Sequence, residues 1–211
     1  LLVMPLVILG IPEKLKVLKL MTSLFILSTA FITFSRPGLI LVAIQSVLLF
    51  KRFWKLLLIL GVTIAPLVVV RLVSVFTFDT LAVLRRQELS DYALKLFIEN
   101  PLAGVGLNNF INVLSSDQIL VGTSRFLQPV HNIFLLTIAE TGFLGILGIS
   151  TFLLFAVWEN YKKKDKFGRA LLGSLLMLIF LGLFDHYFLT LPQGQRLLFL
   201  ILGLSFSNRK N

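Results

Sequence analysis

The sequence predicts an all-α, polytopic transmembrane protein with a large, partly helical loop outside the cytoplasm, and three observations support this prediction. Hydrophobic residues make up 57% of the 211 residues and charged residues only 14%, whereas soluble domains are about 45–50% apolar and about 25% charged. Several apolar runs approach the roughly 20 residues that cross a bilayer as a helix. The net charge of +10 is distributed unevenly between the connections of these runs. Because lipid cannot satisfy exposed backbone groups, the spans are predicted to be helices.

Apolar runs follow one another along most of the chain. They cover approximately residues 1–11, 17–34, 37–50, 56–72, 132–158, 169–190 and 196–207. Because the first run begins at Leu1 without a Met, we predict that residues 1–211 are a single membrane domain and the C-terminal part of a longer protein. The runs 17–34 and 37–50 are joined only by "SRPG", and the second is short, so a re-entrant pair is the alternative for these two.

Alternate connections between spans lie on the same side of a membrane, which tests this segmentation. One set of connections holds thirteen of the 20 Lys and Arg residues against three of the 10 acidic residues, so the whole net charge of +10 lies on that side. The other set is balanced. Because cytoplasmic loops collect Lys and Arg, the first side is predicted to be cytoplasmic. Residues 73–131 then form a loop on the opposite face.

The first half of this loop has the pattern of an amphipathic helix. In "LAVLRRQELSDYALKLFIEN", apolar side chains recur at helical spacing, at Leu84, Leu89, Tyr92, Leu96 and Phe97. We predict that this helix lies at the membrane surface. Pro101 and the glycines of "NPLAGVG" end it in a turn. A short helix follows near residues 107–116, and His131 and Asn132 open the next span.

Several residues on the non-cytoplasmic side are candidates for a site. Guanidinium groups bind phosphate bidentately and stay charged. Each arginine alone is also compatible with a contact to solvent or to lipid headgroups. The arginines are Arg36, Arg85, Arg86, Arg125 and Arg196. His131 suits a general base, with a structural role as its alternative. Asn132 is a possible N-cap. His186 lies beside Asp185 at the outer end of its run.

Other motifs point away from nucleotide or metal chemistry. "GVGLNN" lacks the third glycine and the strand context of a dinucleotide fingerprint. No paired carboxylates suggest a divalent ion, so no metal, no cofactor and no nucleic acid is predicted. Glu140 is interpreted as a buried hydrogen-bond partner rather than a functional acid. Gly142, Gly145 and Gly148 are interpreted as small residues for helix packing.

Three segments in this order resemble the O-antigen ligase and Wzy-type polymerase superfamily. They are "SRPG", "RRQELSDYALKLFIENPLAGVGLNNF" and "HNIFLLTIAETGFLGILG". The late "DHY" segment is also similar, and the resemblance extends over about residues 20–205. Pro37 stands where the family often has glycine, and Ser90 stands where it usually has an aromatic residue.

The resemblance implies a membrane glycosyltransferase that moves a glycan from undecaprenyl diphosphate to an acceptor hydroxyl on a lipid or glycan. Its fold would be multi-span and helical, with a large periplasmic or extracellular loop and the active site on that face of the bacterial inner membrane. By motif, Arg36, Arg86 and His131 correspond to the catalytic positions. Arg85, Arg125, Asn132, His186 and Arg196 are expected to bind substrate. The reaction would be inverting and metal-independent.

Two other classes of function remain open from the residues alone. A transporter or flippase subunit for lipid-linked glycans would also need arginines for a diphosphate, although it should carry charged or broken helices near the midplane. A scaffold with a solvated loop would tolerate neutralisation of the arginines.

Overall fold

The computed structural model describes residues 11–32, 80–116 and 127–207, and a few single residues elsewhere: Pro5, Pro37, Gly38, Ile40, Leu41, Ile44 and Gln45. The chain divides into two compact units, residues 11–85 with Leu1, and residues 2–10 with 86–211. Within the described ranges the regular structure is helical, without a strand, which confirms the all-α class. The predicted run 56–72 and most of the run 37–50 lie outside the described residues.

Helix α1 of the first unit, Lys16–Ile32, follows a 3-10 turn at Glu13–Leu15. Its bounds agree with the predicted run 17–34 to within two residues. The hydroxyls of Thr22, Ser28 and Thr29 bond to carbonyls one turn back, so their polar atoms are satisfied within the helix. These three hydroxyls therefore add no unpaired polar atom to the helix surface, whereas buried Ser23 Oγ has no hydrogen bond within the described residues.

Helix α2, Thr80–Glu99, is the predicted amphipathic helix, and its residues from Arg86 onward belong to the second unit. Leu89, Tyr92 and Leu96 are buried as the spacing predicts, whereas Leu84 is 52% exposed. They pack in an apolar cluster with helix α3, Phe110–Ser116, and with the first turns of helix α4, Ile133–Lys162. The rings of Tyr92 and Phe110 meet edge to face at a centroid distance of 5.9 Å.

Helix α4 is broken at Gly142, which has φ 62° and ψ −158°. This break removes the helical bonds that the carbonyls of Ala139 and Glu140 would receive from residues 143 and 144. The turn after Pro101 replaces them. Val105 N and Gly106 N donate to these two carbonyls at 3.0 and 2.8 Å.

The amides on the other side of the break also bond to this turn. Phe143 N donates to Pro101 O at 2.8 Å and Leu144 N donates to Leu102 O at 3.3 Å. The approach requires glycine on both sides, because a Cβ on Gly104 would lie 2.4 Å from the Glu140 carbonyl carbon. The segment "NPLAGVG" is therefore joined backbone to backbone with the broken helix.

Glu140 is a buried hydrogen-bond partner, as predicted. Its two carboxylate oxygens accept from Asn108 N at 2.9 Å and from Phe110 N at 3.2 Å. Phe110 is the first residue of α3, so the carboxylate satisfies an amide that the helix leaves free. Asn108 has φ 59°, a conformation that Asn tolerates better than most residues.

The remaining helices form a bundle with the second half of α4. Helix α5, Lys166–Gly182, begins at the N-cap Asp165, whose side chain accepts from Gly168 N. The short helix α6, Tyr187–Thr190, and helix α7, Pro192–Phe206, follow. The run predicted at 169–190 is thus helical only to Gly182 before the chain turns. The bundle core contains Ile133, Leu153, Ala156, Leu175, Leu178, Phe188, Leu198, Ile201 and Leu202.

Two contacts give the directions of the bundle helices. A Cβ on Gly182 would lie 2.5 Å from the Ile133 side chain, so the end of α5 meets the start of α4. The ammonium of Lys163 donates to Ser205 O at 2.6 Å, so α7 ends beside the connection from α4 to α5. The basic residues of that connection therefore lie at the far end of α4 from His131.

Among the described helices, α4 alone is long and apolar enough to cross a membrane. Only 17% of the residues in its apolar span are buried inside the protein. The predicted packing role of the glycines in α4 is wrong for Gly142, which breaks the helix, while a Cβ on Gly148 would meet no described atom within 4 Å.

We expect Gly142→Ala to destabilise the second unit strongly and Gly148→Ala to leave it unchanged or more stable. The backbone of Gly142 is in a region that only glycine adopts readily, at a cost of about 1–3 kcal/mol for other residues. A Cβ there would also lie 2.4 Å from the Leu102 carbonyl carbon. At Gly148, alanine is the better helix former. Thermal unfolding of both variants in detergent measures the difference, and equal midpoints would contradict the break.

Candidate functional site

The start of α4 and the end of α5 bring together two loop segments that the sequence separates. Asn132 is the N-cap of α4, as predicted, and its side-chain oxygen accepts from Phe134 N and Leu135 N at 2.8 and 3.1 Å. Its amide nitrogen donates to Leu183 O at 3.2 Å. One side chain thus caps a helix and ties it to the residues after α5.

His131, Asp185 and His186 meet at this junction. Nδ1 of His131 lies 3.6 Å from Oδ1 of Asp185, and Nε2 of His186 lies 4.0 Å from the same oxygen. The two imidazole rings are 5.2 Å apart between centroids. The side chains of the three residues are 10–30% exposed, so the group is sheltered yet reachable from solvent.

The orientation of His186 is fixed by its neighbours. Its Nδ1 lies 2.6 Å from the Thr190 hydroxyl oxygen. That hydroxyl donates to His186 O at 3.2 Å, so its oxygen is free to accept from Nδ1–H. The Nε2 lone pair then points towards Asp185.

Burial lowers the pKa of His186, which lies in the connection after α5, while the carboxylate of Asp185 opposes that shift and His131 adds to it. Burial disfavours the charged imidazolium. The neutral ring is therefore the favoured form in the folded protein near pH 7.

His131 can carry its proton on either ring nitrogen. Nε2 lies 3.3 Å from the side-chain oxygen of Gln128. Buried Nδ1 has no hydrogen bond within the described part of the chain, because Asp185 is beyond bonding distance. With the proton on Nδ1, the ring faces Asp185 as a donor and Nε2 can accept a proton. With the proton on Nε2, Gln128 accepts it and the Nδ1 lone pair faces the carboxylate.

Within the described residues, the predicted Arg86 and Arg196 are not part of this contact group. Arg85 and Arg86 lie on the exposed surface of α2, and Arg196 is exposed in the first turns of α7. Within the described residues, no hydrogen bond or ion pair joins the Arg86 guanidinium to His131. Arg36 and Arg125 lie outside the described residues.

Asp185 is the residue of this group that sequence reasoning did not select. It is 54 positions from His131, and no local pattern relates the two. The signal that was available is its position next to His186 at the outer end of an apolar run, where ionisable groups are usually functional. The structure also adds Gln128 and Thr190 as hydrogen-bond partners of the two histidines.

Comparison with known proteins identifies one family. A family model described as Wzy_C, O-antigen ligase, matches residues 21–150. The matched region includes His131, Asn132 and Arg86, and it ends before Asp185 and His186. No curated protein and no solved structure matches the chain significantly.

Replacing Asp185 by Asn should lower the pKa of His186 further, because the carboxylate that opposes the effect of burial is removed. The same exchange at Asp91, exposed on α2, is the matched control and should leave that pKa unchanged. Imidazole resonances followed by NMR across a pH titration in detergent give both values, with His186→Gln used for assignment. An unchanged His186 pKa in Asp185→Asn would refute the contact.

The stability of the folded protein should also depend on pH through His186. Its folded pKa is lowered, so below the ordinary value of about 6.5 the unfolded chain binds a proton that the folded chain resists. We expect the unfolding midpoint to fall as the pH drops below that value. The fall should be smaller in His186→Gln, measured by the same thermal unfolding.

Proposed function

Because this chain belongs to the O-antigen ligase family, we propose that it transfers a glycan from undecaprenyl diphosphate to an acceptor hydroxyl at the His131 site. The family is one of membrane proteins of the ligase and polymerase type. The observation that carries the proposal is the pairing of His131 with Asp185 at a sheltered, partly exposed junction. A histidine beside a carboxylate is a common arrangement for a general base.

His131 takes the proton of the acceptor hydroxyl in this mechanism. With Nδ1–H facing Asp185, Nε2 is the nitrogen that accepts, and the acceptor hydroxyl replaces the Gln128 side chain beside it. The resulting imidazolium faces the Asp185 carboxylate, which stabilises the charge. Such proton transfer contributes typically about 10²–10⁴-fold to the rate.

The other bond changes occur at the anomeric carbon. The acceptor oxygen forms a bond to that carbon while the carbon–oxygen bond to the diphosphate breaks, and the electron pair goes to the departing diphosphate oxygen. A single displacement inverts the anomeric centre. Arg86 and Arg36 bind the diphosphate and stabilise the developing charge as pre-organised donors, with Arg85, Arg125 and Arg196 as further contacts to the substrate. No metal takes part in this step.

The proposed topology is multi-pass, with the His131 end of α4 on the periplasmic or extracellular face of the inner membrane. It is supported by the basic connection Lys162–Lys166 at the opposite end of α4, where Lys163 bonds to Ser205 O. Cytoplasmic connections collect such residues. The acceptor lipid or glycan and the lipid-linked donor would both approach from the outer face.

Glycan transfer by the full-length protein in proteoliposomes tests the proposal, with an undecaprenyl-diphosphate-linked glycan, a panel of acceptors, and EDTA in a parallel sample. We expect transfer without added metal, a loss of at least about 10²-fold in His131→Ala, and a clear loss in Arg86→Lys, since a point charge cannot replace the guanidinium fork. Arg169→Lys is the matched control, because Arg169 lies at the other end of the bundle.

Turnover retained in both His131→Ala and Arg86→Lys would reject the assignment of these residues. Thermal unfolding of each variant separates loss of chemistry from loss of fold. Glycan that crosses the bilayer with no new glycosidic bond would indicate the transporter class instead. A productive acceptor would show whether the protein acts as a ligase or a polymerase.

A further inference from the structure

We propose that His131, Asp185 and His186 form a binding site for a divalent transition ion such as Zn²⁺. Nδ1 of His131, a carboxylate oxygen of Asp185 and Nε2 of His186 are the three ligand atoms. One ligand atom from each residue lies within 4.8 Å of the others. Two imidazoles and one carboxylate are a ligand set that suits Zn²⁺ and its neighbours, and three protein ligands leave a position open for water.

Both histidines have an oxygen acceptor at the ring nitrogen that points away from the group. Nδ1 of His186 lies 2.6 Å from the Thr190 hydroxyl, and Nε2 of His131 lies 3.3 Å from the Gln128 side-chain oxygen. Metal-binding histidines usually donate their other N–H to such an oxygen, which fixes the tautomer. In that tautomer, both lone pairs point into the space shared with Asp185.

This arrangement concentrates negative potential in a small volume. Two imidazole lone pairs and a carboxylate oxygen face one another, and buried Nδ1 of His131 has no hydrogen bond to any residue that the structure describes. Groups of this kind repel unless a positive charge lies between them. A bound cation supplies that charge and satisfies all three ligand atoms together.

The distances agree with an ion after small side-chain movements. Tetrahedral zinc with bonds of about 2.0–2.1 Å places its ligand atoms about 3.3 Å apart. The observed separations from Asp185 Oδ1 are 3.6 Å to His131 and 4.0 Å to His186.

A consequence follows that rests on the proposed function. An ion on Nδ1 keeps the proton of His131 on Nε2, so Nε2 cannot take the acceptor proton. Zn²⁺ is therefore an inhibitor of glycan transfer rather than a cofactor, and its removal by EDTA restores transfer.

Titration of the purified full-length protein with Co²⁺, followed by competition with Zn²⁺, tests the site through the visible absorption of the bound Co²⁺. We expect one ion per chain at this site, and a loss of affinity of at least tenfold in Asp185→Asn. Asp91→Asn, the matched exchange on an exposed part of α2, should bind as the wild type does. Thr190→Val and Gln128→Ala remove no ligand and should weaken binding about 10–100-fold.

Absence of binding, or equal affinity in Asp185→Asn and Asp91→Asn, would overturn the site. Thermal unfolding of each variant shows whether a loss of binding reflects a loss of fold. If Asp185→Asn does not fold, Thr190→Val and Gln128→Ala test the site instead. Binding of the ion by a protein that transfers no glycan even with EDTA present would support the site and reject the transferase. Transfer that continues at saturating Zn²⁺ would support the transferase while rejecting Nε2 as its base.

Discussion

The structure of the second unit depends on the exchange of hydrogen bonds between the broken helix α4 and the turn after Pro101. Gly142 interrupts α4, and two helical bonds are replaced by four bonds to Pro101, Leu102, Val105 and Gly106. Unpaired backbone groups in an apolar environment each cost several kcal/mol. The break is therefore tolerated only while the turn is in place, and the turn is held only while the helix is broken.

This exchange of hydrogen bonds positions helices that are separated along the sequence. The turn follows α2 directly, so its attachment to α4 holds the Leu89–Leu96 face of α2 against the apolar cluster around Ala139. The Glu140 carboxylate adds two bonds to the start of α3. Eleven positions before the break, His131 immediately precedes the N-cap of the same helix. Its position relative to Asp185 is set independently by Asn132 and by the close approach of Gly182 to Ile133.

Features encoded by neighbouring residues could be predicted from the sequence, whereas features that need distant partners could not. Apolar runs gave α1 and α4 closely, helical spacing gave the buried face of α2, and Asn132 before an apolar run gave the cap. The spacing of Gly142, Gly145 and Gly148 is compatible with helix packing and with a helix break. Only the bonds to the turn after Pro101 show that Gly142 breaks the helix. Asp185 could not be paired with His131 from the sequence. It lies in the turn between α5 and α6, and the sequence there reads as one continuous apolar run, 169–190.

The charge at the His131 junction relates the chemistry to the metal site. Asp185 carries the only carboxylate beside the two histidines within the described residues, and burial lowers the pKa of His186. The group therefore accommodates one added cation, which is either a proton on His131 or a divalent ion shared by all three residues. His131 can act as a general base only while it is able to take up the proton, and a bound divalent ion prevents this. The same geometry that prepares His131 to take a proton therefore also makes it sensitive to a transition ion.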